Sequence, residues 1–373
     1  MSERTEQIEL PQELRPVDGR FGSGPSKVRQ AAIDELARIA PTYLGTSHRQ
    51  ATVRSVVGRL REGLRQLFQL PDGYEVLLGN GGTTAFWDAA AFGLVERRSQ
   101  HLSFGEFSAK FAAVTKKAPH LEDPEVIESE PGTRPDAKAQ DGIDTYALTH
   151  NETSTGVMAP VVRPDAAGLV IVDATSAAGG LPVDAAEFDV YYFAPQKCFG
   201  SDAGLWLALC SPAAVERIER VAKSRWIPPS LDLAIALENS RLDQTYNTPA
   251  LATLFMVTSQ TEWFNEQGGL GWAVRRCNES AEVLYGWAES SEIARPFVAD
   301  PSDRSHTVAT IDFDDRVDAG TLSKILRQNG IVDTESYRKL GRNQLRIAMF
   351  PAIEPSDLAI LTRAIDWVAG SLT

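Results

Sequence analysis

The most informative part of this chain is residues 168–200, GLVIVDATSAAGGLPVDAAEFDVYYFAPQKCFG, which contain two apolar runs. The first, Gly168–Val172, stops at Asp173, and the second, Asp189–Ala194, leads into Lys197. Unbroken apolar runs of this length are typical of parallel strands that are buried on both faces. Because ligands of an open α/β sheet bind outside the carboxyl ends of its strands, the sequence predicts that Asp173 and Lys197 lie at a ligand site.

The pairing of a carboxylate with a lysine points to pyridoxal phosphate (PLP) chemistry. PLP needs a lysine amine for covalent attachment and an acidic group that keeps its ring nitrogen protonated, because the protonated ring withdraws electrons from the substrate's α-carbon. The plainer interpretation is that Asp173 caps a helix and that Lys197 is a solvated loop lysine. The pair alone leaves both interpretations open.

The composition is that of an ordinary globular protein, since 43% of the 373 residues are hydrophobic and 23% are charged. The net charge of −13 argues against nucleic acid or an anionic membrane as a partner. Cys198, Cys210 and Cys277 lack the spacing of a metal site or a disulfide framework, so we expect a cytoplasmic protein without a bound metal. The sequence pattern predicts neither a signal peptide nor a membrane span.

The order of predicted elements divides the chain into three parts. Residues 22–266 alternate strands and helices, which predicts a large doubly wound α/β domain around a mostly parallel sheet. After Gly268 and Gly269, a helix, strand, helix, strand and helix predict a small α+β domain at residues 267–373. Residues 1–21 are expected to form an N-terminal arm, mobile or loosely docked.

Two further loops follow predicted strands. The loop Gly79–Trp87 opens a helix, so its backbone N–H groups and the hydroxyls of Thr83 and Thr84 can form a phosphate-binding cup. The loop matches neither the GxxxxGK[ST] nor the GxGxxG pattern, so this signal is weak by itself. Phe107 follows the next strand, where an aromatic ring either stacks on a cofactor or packs in the core.

Two groups of cations stand out against the acidic composition. His48 and Arg49 lie just before an amphipathic helix, and residues 337–346 carry four positive charges. Such groups are usually solvated, but arginine also binds phosphate and carboxylate in bidentate fashion. Arg346 lies inside a predicted strand, where an unpaired charge would be costly, so we expect at least one of these cations to bind an anion.

Taken together, these residues resemble the class V group of fold-type I PLP-dependent aminotransferases. The likeness extends over nearly the whole chain, and its most specific motifs are Thr46–Arg49, His150–Gly156, Asp173–Ser176, Ala194–Lys197 and Tyr246–Pro249. The resemblance is closest to the actinobacterial members of the branch that converts 3-phosphohydroxypyruvate and L-glutamate into O-phospho-L-serine and 2-oxoglutarate. It implies a place in L-serine biosynthesis and, in pyridoxine biosynthesis, a second substrate, 4-phosphohydroxythreonine.

The resemblance also implies roles for individual residues. Lys197 would bind PLP covalently and then move the proton at the substrate's α-carbon, while Asp173 would pair with the ring nitrogen. Phe107 would stack on the ring, and Thr153 would hydrogen-bond its phenolic oxygen. The cofactor phosphate would be held by Thr83, Thr84 and Gln196, together with Asn247 and Thr248 of the neighbouring subunit. The active sites are therefore expected to be shared within a homodimer.

For the substrate, the resemblance implies two anionic anchors. Arg346 would clamp the α-carboxylate. The substrate phosphate, or the distal carboxylate of glutamate, would be bound by His48, Arg49 and Arg338. The chain departs from the family pattern at Tyr337, where a histidine is common, and this makes Lys339 or Arg342 a candidate replacement for a phosphate contact.

Other functions fit the sequence less well. An alanine–glyoxylate or serine–pyruvate aminotransferase would need one carboxylate-binding arginine and little further positive charge. A cysteine desulfurase would need a cysteine in a mobile loop, and none of the three cysteines is predicted in such a loop. A non-catalytic phosphate-binding protein would use the glycine-rich loop but would leave Asp173 and Lys197 without a role.

Overall fold

The computed structural model describes residues 8–372, in which ten α-helices and twelve strands are found. The helices are α1 Gln30–Tyr43, α2 Ala51–Leu67, α3 Thr83–Gly93, α4 Glu106–Lys117, α5 Pro212–Ser224, α6 Leu233–Arg241, α7 Leu251–Gln267, α8 Gly269–Ser290, α9 Ala319–Gln328 and α10 Pro355–Leu372. The strands are β1 Glu75–Gly81, β2 Ser99–Ser103, β3 Glu125–Glu128, β4 Thr145–Thr149, β5 Asn151–Glu152, β6 Val157–Met158, β7 Leu169–Asp173, β8 Val190–Phe193, β9 Gly204–Cys210, β10 Ala294–Pro296, β11 Val308–Phe313 and β12 Gln344–Ala348.

The large lobe is built on a seven-stranded sheet with the order β1-β9-β8-β7-β4-β2-β3. The neighbours are parallel except at β9, which is antiparallel to both β1 and β8. The carboxyl ends of β1, β2, β4, β7 and β8 therefore lie at the same edge as the amino end of β9. The predicted doubly wound, mostly parallel sheet is confirmed, and its loops converge at this edge.

The central strands are apolar throughout because helices cover both faces of the sheet. Alternate residues of β7 and β8, such as Val170 and Tyr191, pack in a core with α2 and α7. The intervening residues, such as Ile171 and Tyr192, pack in a second core with α3, α5 and α6. Burial on both faces explains why these strands read as unbroken apolar runs rather than as alternating ones.

The small lobe packs α8, α9 and α10 against the three-stranded antiparallel sheet β10-β11-β12. Residues 8–20 dock on this lobe: Leu10 is buried in its core and donates its backbone N–H to Asn329 Oδ1 at 2.8 Å. Val17 likewise donates to Asp357 Oδ1 at 2.9 Å. Residues 1–7 of the predicted arm lie outside the described residues. Within residues 8–372, no helix combines the length and apolarity needed to cross a bilayer.

Several element boundaries differ from the prediction. Helix α6 was not predicted from the sequence pattern. Gly79 was predicted in a loop but lies within β1, paired with Trp206 of β9. A Cβ atom at Gly79 would collide with the Trp206 indole, so glycine is required there by close side-chain packing and not by a turn.

Candidate active site

A cavity of about 600 Å³ opens at the edge of the sheet where the strand ends converge. Seven residues predicted to bind the cofactor line it: Thr83, Thr84, Phe107, Thr153, Asp173, Gln196 and Lys197. A second cavity, of about 700 Å³, lies beside Leu181 and His306 and is lined by none of the predicted site residues. The chemistry of the lining, and not the cavity size, therefore identifies the site.

Lys197 is a buried amine at the wall of this cavity. Its Nζ donates a hydrogen bond to the carbonyl oxygen of Ser23, in the loop that precedes α1. Burial, assisted by the positive charge of Arg346, lowers the pKa of Lys197 to about 7. A large fraction of this lysine is therefore uncharged near neutral pH, which is the form that attacks a carbonyl carbon.

Asp173 is a buried carboxylate at the carboxyl end of β7. Its Oδ1 accepts from the backbone N–H of Thr175 at 2.9 Å, and its Oδ2 accepts from Trp87 Nε1 at 3.2 Å. Burial raises the pKa of Asp173, while the hydrogen bonds from Thr175 and Trp87 act to lower it. Trp87 was missed by the sequence analysis, although it lies one turn after Thr83 on the buried face of α3.

The predicted phosphate end lies where α3 begins. Thr83 and Thr175 share a hydrogen bond of 2.8 Å between their hydroxyls. Gln196 Oε1 is buried without a hydrogen-bond partner, which leaves its acceptor capacity to a bound group. At the other side of the cavity, Thr153 Oγ1 donates to Ser176 Oγ at 2.8 Å.

Glu152 orders the start of α4 and was also missed. This buried carboxylate accepts from the backbone N–H groups of Phe107 at 3.1 Å and Ser108 at 2.8 Å through Oε2. Its Oε1 accepts from the backbone N–H of Ser154 at 3.1 Å. A carboxylate at a helix N-terminus accepts hydrogen bonds from the free N–H groups there and interacts favourably with the positive end of the helix dipole. Glu152 thereby fixes the backbone that carries Phe107.

These residues fit PLP. The cavity offers a nucleophilic amine at Lys197, a buried carboxylate at Asp173 that would be stabilised by a cationic ring nitrogen, and an aromatic ring at Phe107. The helix N-terminus at Thr83 supplies N–H donors for the anionic end group.

Arg346 joins the small lobe to this site. It lies in β12, and its Nη1 donates to the carbonyl oxygen of Thr153 at 3.3 Å. Its guanidinium carbon lies 5.3 Å from the ring centroid of Tyr337. Burial lowers the pKa of Arg346, and its Nε is buried without a partner. The guanidinium therefore retains hydrogen-bonding capacity for an anion.

Four predicted residues form a separate group, here called the rim cluster: His48, Arg49, Asn247 and Thr248. His48 Nδ1 and Thr248 Oγ1 are 3.1 Å apart, and Asn80 Nδ2 donates to the carbonyl oxygens of Asn247 at 3.1 Å and Thr248 at 3.2 Å. Arg49 Nη1 donates to Gln244 Oε1 at 3.0 Å. None of the four lines the cavity of its own chain.

The cations of segment 337–346 are not all directed at the cavity. Arg338 lines a different groove, on the small lobe beside Asp318 and Lys324. Arg342 binds Asp312 through Nε at 3.1 Å and through Nη2 at 2.5 Å, which commits its guanidinium to a structural pair. In this conformation the structure does not bring Arg338 to the site.

These features fit a PLP site, and the comparison with known sequences specifies the family. Residues 21–335 match the family model for class-V aminotransferases. The chain therefore belongs to the class-V aminotransferase family and is a PLP-dependent transaminase of fold type I.

Relatives over the full length carry a more specific name. The chain is 60% identical over 373 residues to a phosphoserine aminotransferase of a Nocardioides species, covering 99% of this chain and 100% of that one. It is 58% identical over 370 residues to a putative phosphoserine aminotransferase of Mycolicibacterium vanbaalenii, covering 98% and 100%. The solved phosphoserine aminotransferase of Cytophaga hutchinsonii superposes with a TM-score of 0.85 at 26% identity, covering 94% of this chain and 99% of that one.

Proposed function

We propose that this protein is a phosphoserine aminotransferase that interconverts 3-phosphohydroxypyruvate plus L-glutamate and O-phospho-L-serine plus 2-oxoglutarate. The observation that carries the chemistry is the buried amine of Lys197, with its pKa near 7, in one cavity with the buried carboxylate of Asp173. The names of the full-length relatives support the substrate. We extend the proposal to L-serine biosynthesis in the cytoplasm, and to 4-phosphohydroxythreonine as a second substrate in pyridoxine biosynthesis.

PLP, when bound, supplies the electron-withdrawing ring that lets the substrate's α-proton be removed. Lys197 would hold the cofactor covalently and would take and return the proton at the substrate's α-carbon. Asp173, fixed by Thr175 and Trp87, would keep the ring nitrogen protonated. Phe107 would pack against the ring, and Thr153 would hydrogen-bond its phenolic oxygen.

The cofactor phosphate is assigned to two chains. Thr83, Thr84 and Gln196 hold it from the chain that carries Lys197, and Asn247 and Thr248 hold it from the neighbouring subunit. The position of the rim cluster supports this assignment, because it lies beside Asn80, next to Gly81 at the cavity mouth, yet outside the cavity of its own chain. We therefore infer a homodimer with shared active sites.

The substrate is held at two ends. Arg346 binds the α-carboxylate, supported by its burial and its free Nε. His48, Arg49 and Arg338 are assigned to the distal phosphate or carboxylate, and Arg338 must leave its groove to take part. Anchoring both ends would fix the orientation of the α-carbon bond that breaks. We assign the large domain to residues 22–266, the small domain to 267–373 and the arm to 1–21.

A single-turnover spectrum tests the function. The PLP-loaded protein is mixed with O-phospho-L-serine alone and, separately, with L-alanine alone. Rapid conversion of the bound cofactor from its aldehyde level to its amine form with phosphoserine, and not with alanine, is the expected result. Conversion with alanine alone would identify an alanine–glyoxylate or serine–pyruvate type of enzyme instead.

A complementation experiment tests the shared site. Lys197→Ala and Asn247→Ala are each expected to be impaired by themselves. When the two variants are dissociated and reassociated together, mixed dimers contain one site with both native residues, and activity should return. No recovery, with mixed dimers demonstrated by mass, would contradict sharing of the site.

A further inference from the structure

Lys110 lines the active-site cavity and belongs to none of the anchors described so far. It lies on α4 one turn after Phe107, so the two side chains share a face of the helix. Its Nζ is 5.0 Å from the Phe107 ring centroid and 3.4 Å from Glu106 Oε1. About 45% of the side chain is exposed, so a ligand that enters the cavity can reach the ammonium.

The same carboxylate also binds a lysine of the opposite lobe. Lys339 Nζ lies 2.5 Å from Glu106 Oε1, and 69% of the Lys339 side chain is exposed. Glu106 thus holds two ammonium groups, one from each lobe, and that of Lys110 belongs to a residue lining the cavity. One carboxylate neutralises only one of them, so the cluster of Glu106, Lys110 and Lys339 carries a net positive charge.

A continuous row of side chains links this cluster to the α-carboxylate anchor. The Arg346 guanidinium lies 5.3 Å from the Tyr337 ring, and the Tyr337 ring lies 6.0 Å from the ring of Phe107, over which Lys110 lies. Arg346, at one end of this row, binds the substrate's α-carboxylate in the proposed function. The other end is Lys110, which lies over the Phe107 ring and lines the cavity.

The remaining cations of segment 337–346 are engaged elsewhere. Arg342 is paired with Asp312 and lies 4.5 Å from the Phe297 ring centroid. Arg338 lines the groove on the far side of the loop. Besides Arg346, which contacts Thr153, Lys339 is therefore the cation of this segment that is bound to the large lobe, through Glu106.

We propose that Lys110 and Lys339 bind the distal phosphate of the substrate, with Glu106 as the counter-ion that they release. This inference rests on the proposed function and adds Lys110 and Lys339 to the contacts of the distal phosphate. A phosphate dianion carries more charge than a carboxylate, so it competes effectively for two ammonium groups that share Glu106. Lysine is suited to this exchange, because its ammonium is a mobile point charge on a flexible stem.

The test compares dissociation constants measured by spectral titration of the PLP-loaded enzyme. Lys110→Met and Lys339→Met should each raise the dissociation constant for phosphoserine about tenfold, with a smaller rise for glutamate, whose distal group carries one charge. Inorganic phosphate, used as a competitor, should lose affinity in the same variants. Lys117→Met removes an exposed charge from the last turn of α4 and should change neither constant.

Glu106→Gln separates a binding role from a structural one. If Glu106 competes with phosphate, its removal frees both lysines and lowers the dissociation constants for phosphoserine and phosphate. If the cluster only fastens the two lobes, the same change weakens binding, and that result would overturn the inference. Loss of phosphoserine binding in Arg338→Met, with Lys110→Met and Lys339→Met unaffected, would also overturn it while leaving the proposed function intact. Wild-type enzyme that converts alanine and not phosphoserine would refute the proposed function itself.

Discussion

Trp87 Nε1 lies 3.2 Å from Asp173 Oδ2 and 3.1 Å from Tyr192 Oη, so one indole N–H joins α3 to the ends of two sheet strands. The contact turns one carboxylate oxygen of Asp173 toward the helix, while Thr175 fixes the other. An acidic group that pairs with a ring nitrogen must be held in one orientation, and rigid packing of its neighbours supplies that constraint. Trp87 is thus a positioning residue for Asp173.

Trp87→Phe should keep the fold and weaken PLP binding. The change removes one hydrogen bond to a buried carboxylate, which is worth about 1.5–3 kcal/mol, or roughly a tenfold to hundredfold rise in the dissociation constant. Equilibrium titration of the apoprotein with PLP measures it. Trp226→Phe, at an indole that is 78% exposed, is the matched control. Equal affinity in both variants would show that Asp173 does not need Trp87.

Attachment of PLP to Lys197 should depend on pH with a midpoint near 7. Only the uncharged amine reacts, and burial together with Arg346 lowers the pKa of Lys197 to about 7. Arg346→Gln removes the second of these causes, so the pKa rises and the midpoint moves to higher pH. Stopped-flow absorbance of apoprotein mixed with PLP gives the profile. Arg316→Gln, a substitution at an exposed position in the small lobe, should leave the midpoint unchanged. An unchanged midpoint in Arg346→Gln would contradict the conclusion that the charge of Arg346 lowers the pKa of Lys197.

Gly24→Ala should prevent correct placement of the reactive lysine. Gly24 has φ of +131°, and a Cβ atom there would collide with the Lys197 side chain. We expect slow or incomplete PLP attachment, detected by borohydride reduction and peptide mass mapping. Gly330→Ala is a control for backbone strain alone. Its φ is +84°, and no atom lies within 4 Å of the added Cβ, so it introduces the strain of a positive φ without a collision. Normal attachment in Gly24→Ala would mean that the lysine tolerates a different position.

Glu152→Ala should lower the free energy of unfolding by about 3 kcal/mol or more. The substitution leaves the buried N–H groups of Phe107, Ser108 and Ser154 without their acceptor, and each loss costs about 1 kcal/mol or more. Urea denaturation followed by circular dichroism measures the change. Glu130→Ala, at an exposed position, provides the reference. A difference below about 1 kcal/mol between the two variants would contradict the role of Glu152 as the helix cap.

The folded state should lose stability as the pH falls below 6.5. Burial lowers the pKa values of His101 and His150 to about 3, so between pH 3 and 6.5 the unfolded chain binds more protons than the folded one. Each histidine then contributes a slope of up to about 1.4 kcal/mol per pH unit. His101→Gln should reduce the slope of unfolding free energy between pH 4.5 and 6.5. An identical slope in the variant would rule out His101 as a source of acid sensitivity.

The sequence predicted those parts of the site that follow directly from chain order. Asp173 and Lys197 end apolar strands, and parallel strands bring their carboxyl ends to one edge, so a one-dimensional pattern was sufficient. Trp87, Glu152 and Lys110 were missed because their roles depend on which neighbour they face across the sheet edge, and helix periodicity does not specify that neighbour.

The sequence also does not predict which partner a flexible cationic side chain will bind. The four charges of segment 337–346 predict an anion-binding group, but the sequence does not specify which partner each cation binds. Asp312 binds Arg342 from the neighbouring strand β11, and Glu106 binds Lys339 from the other lobe. These partners are 30 and 233 residues away in the chain, so the pairing is fixed by tertiary structure.

The docking of residues 8–20 on the small lobe has a consequence for folding during synthesis. This segment leaves the ribosome long before its partners Asn329 and Asp357, which lie 319 and 340 residues further along the chain. Phe21 also depends on residues made later, because its backbone N–H donates to the carbonyl oxygen of Val332 and its carbonyl oxygen accepts from the backbone N–H of Ala348. The seven-stranded sheet can assemble from residues 75–210 much earlier. The Ser23 carbonyl that accepts a hydrogen bond from Lys197 is therefore positioned only after residues 332–348 have been made. Until then, a nascent chain carries the reactive lysine without this partner.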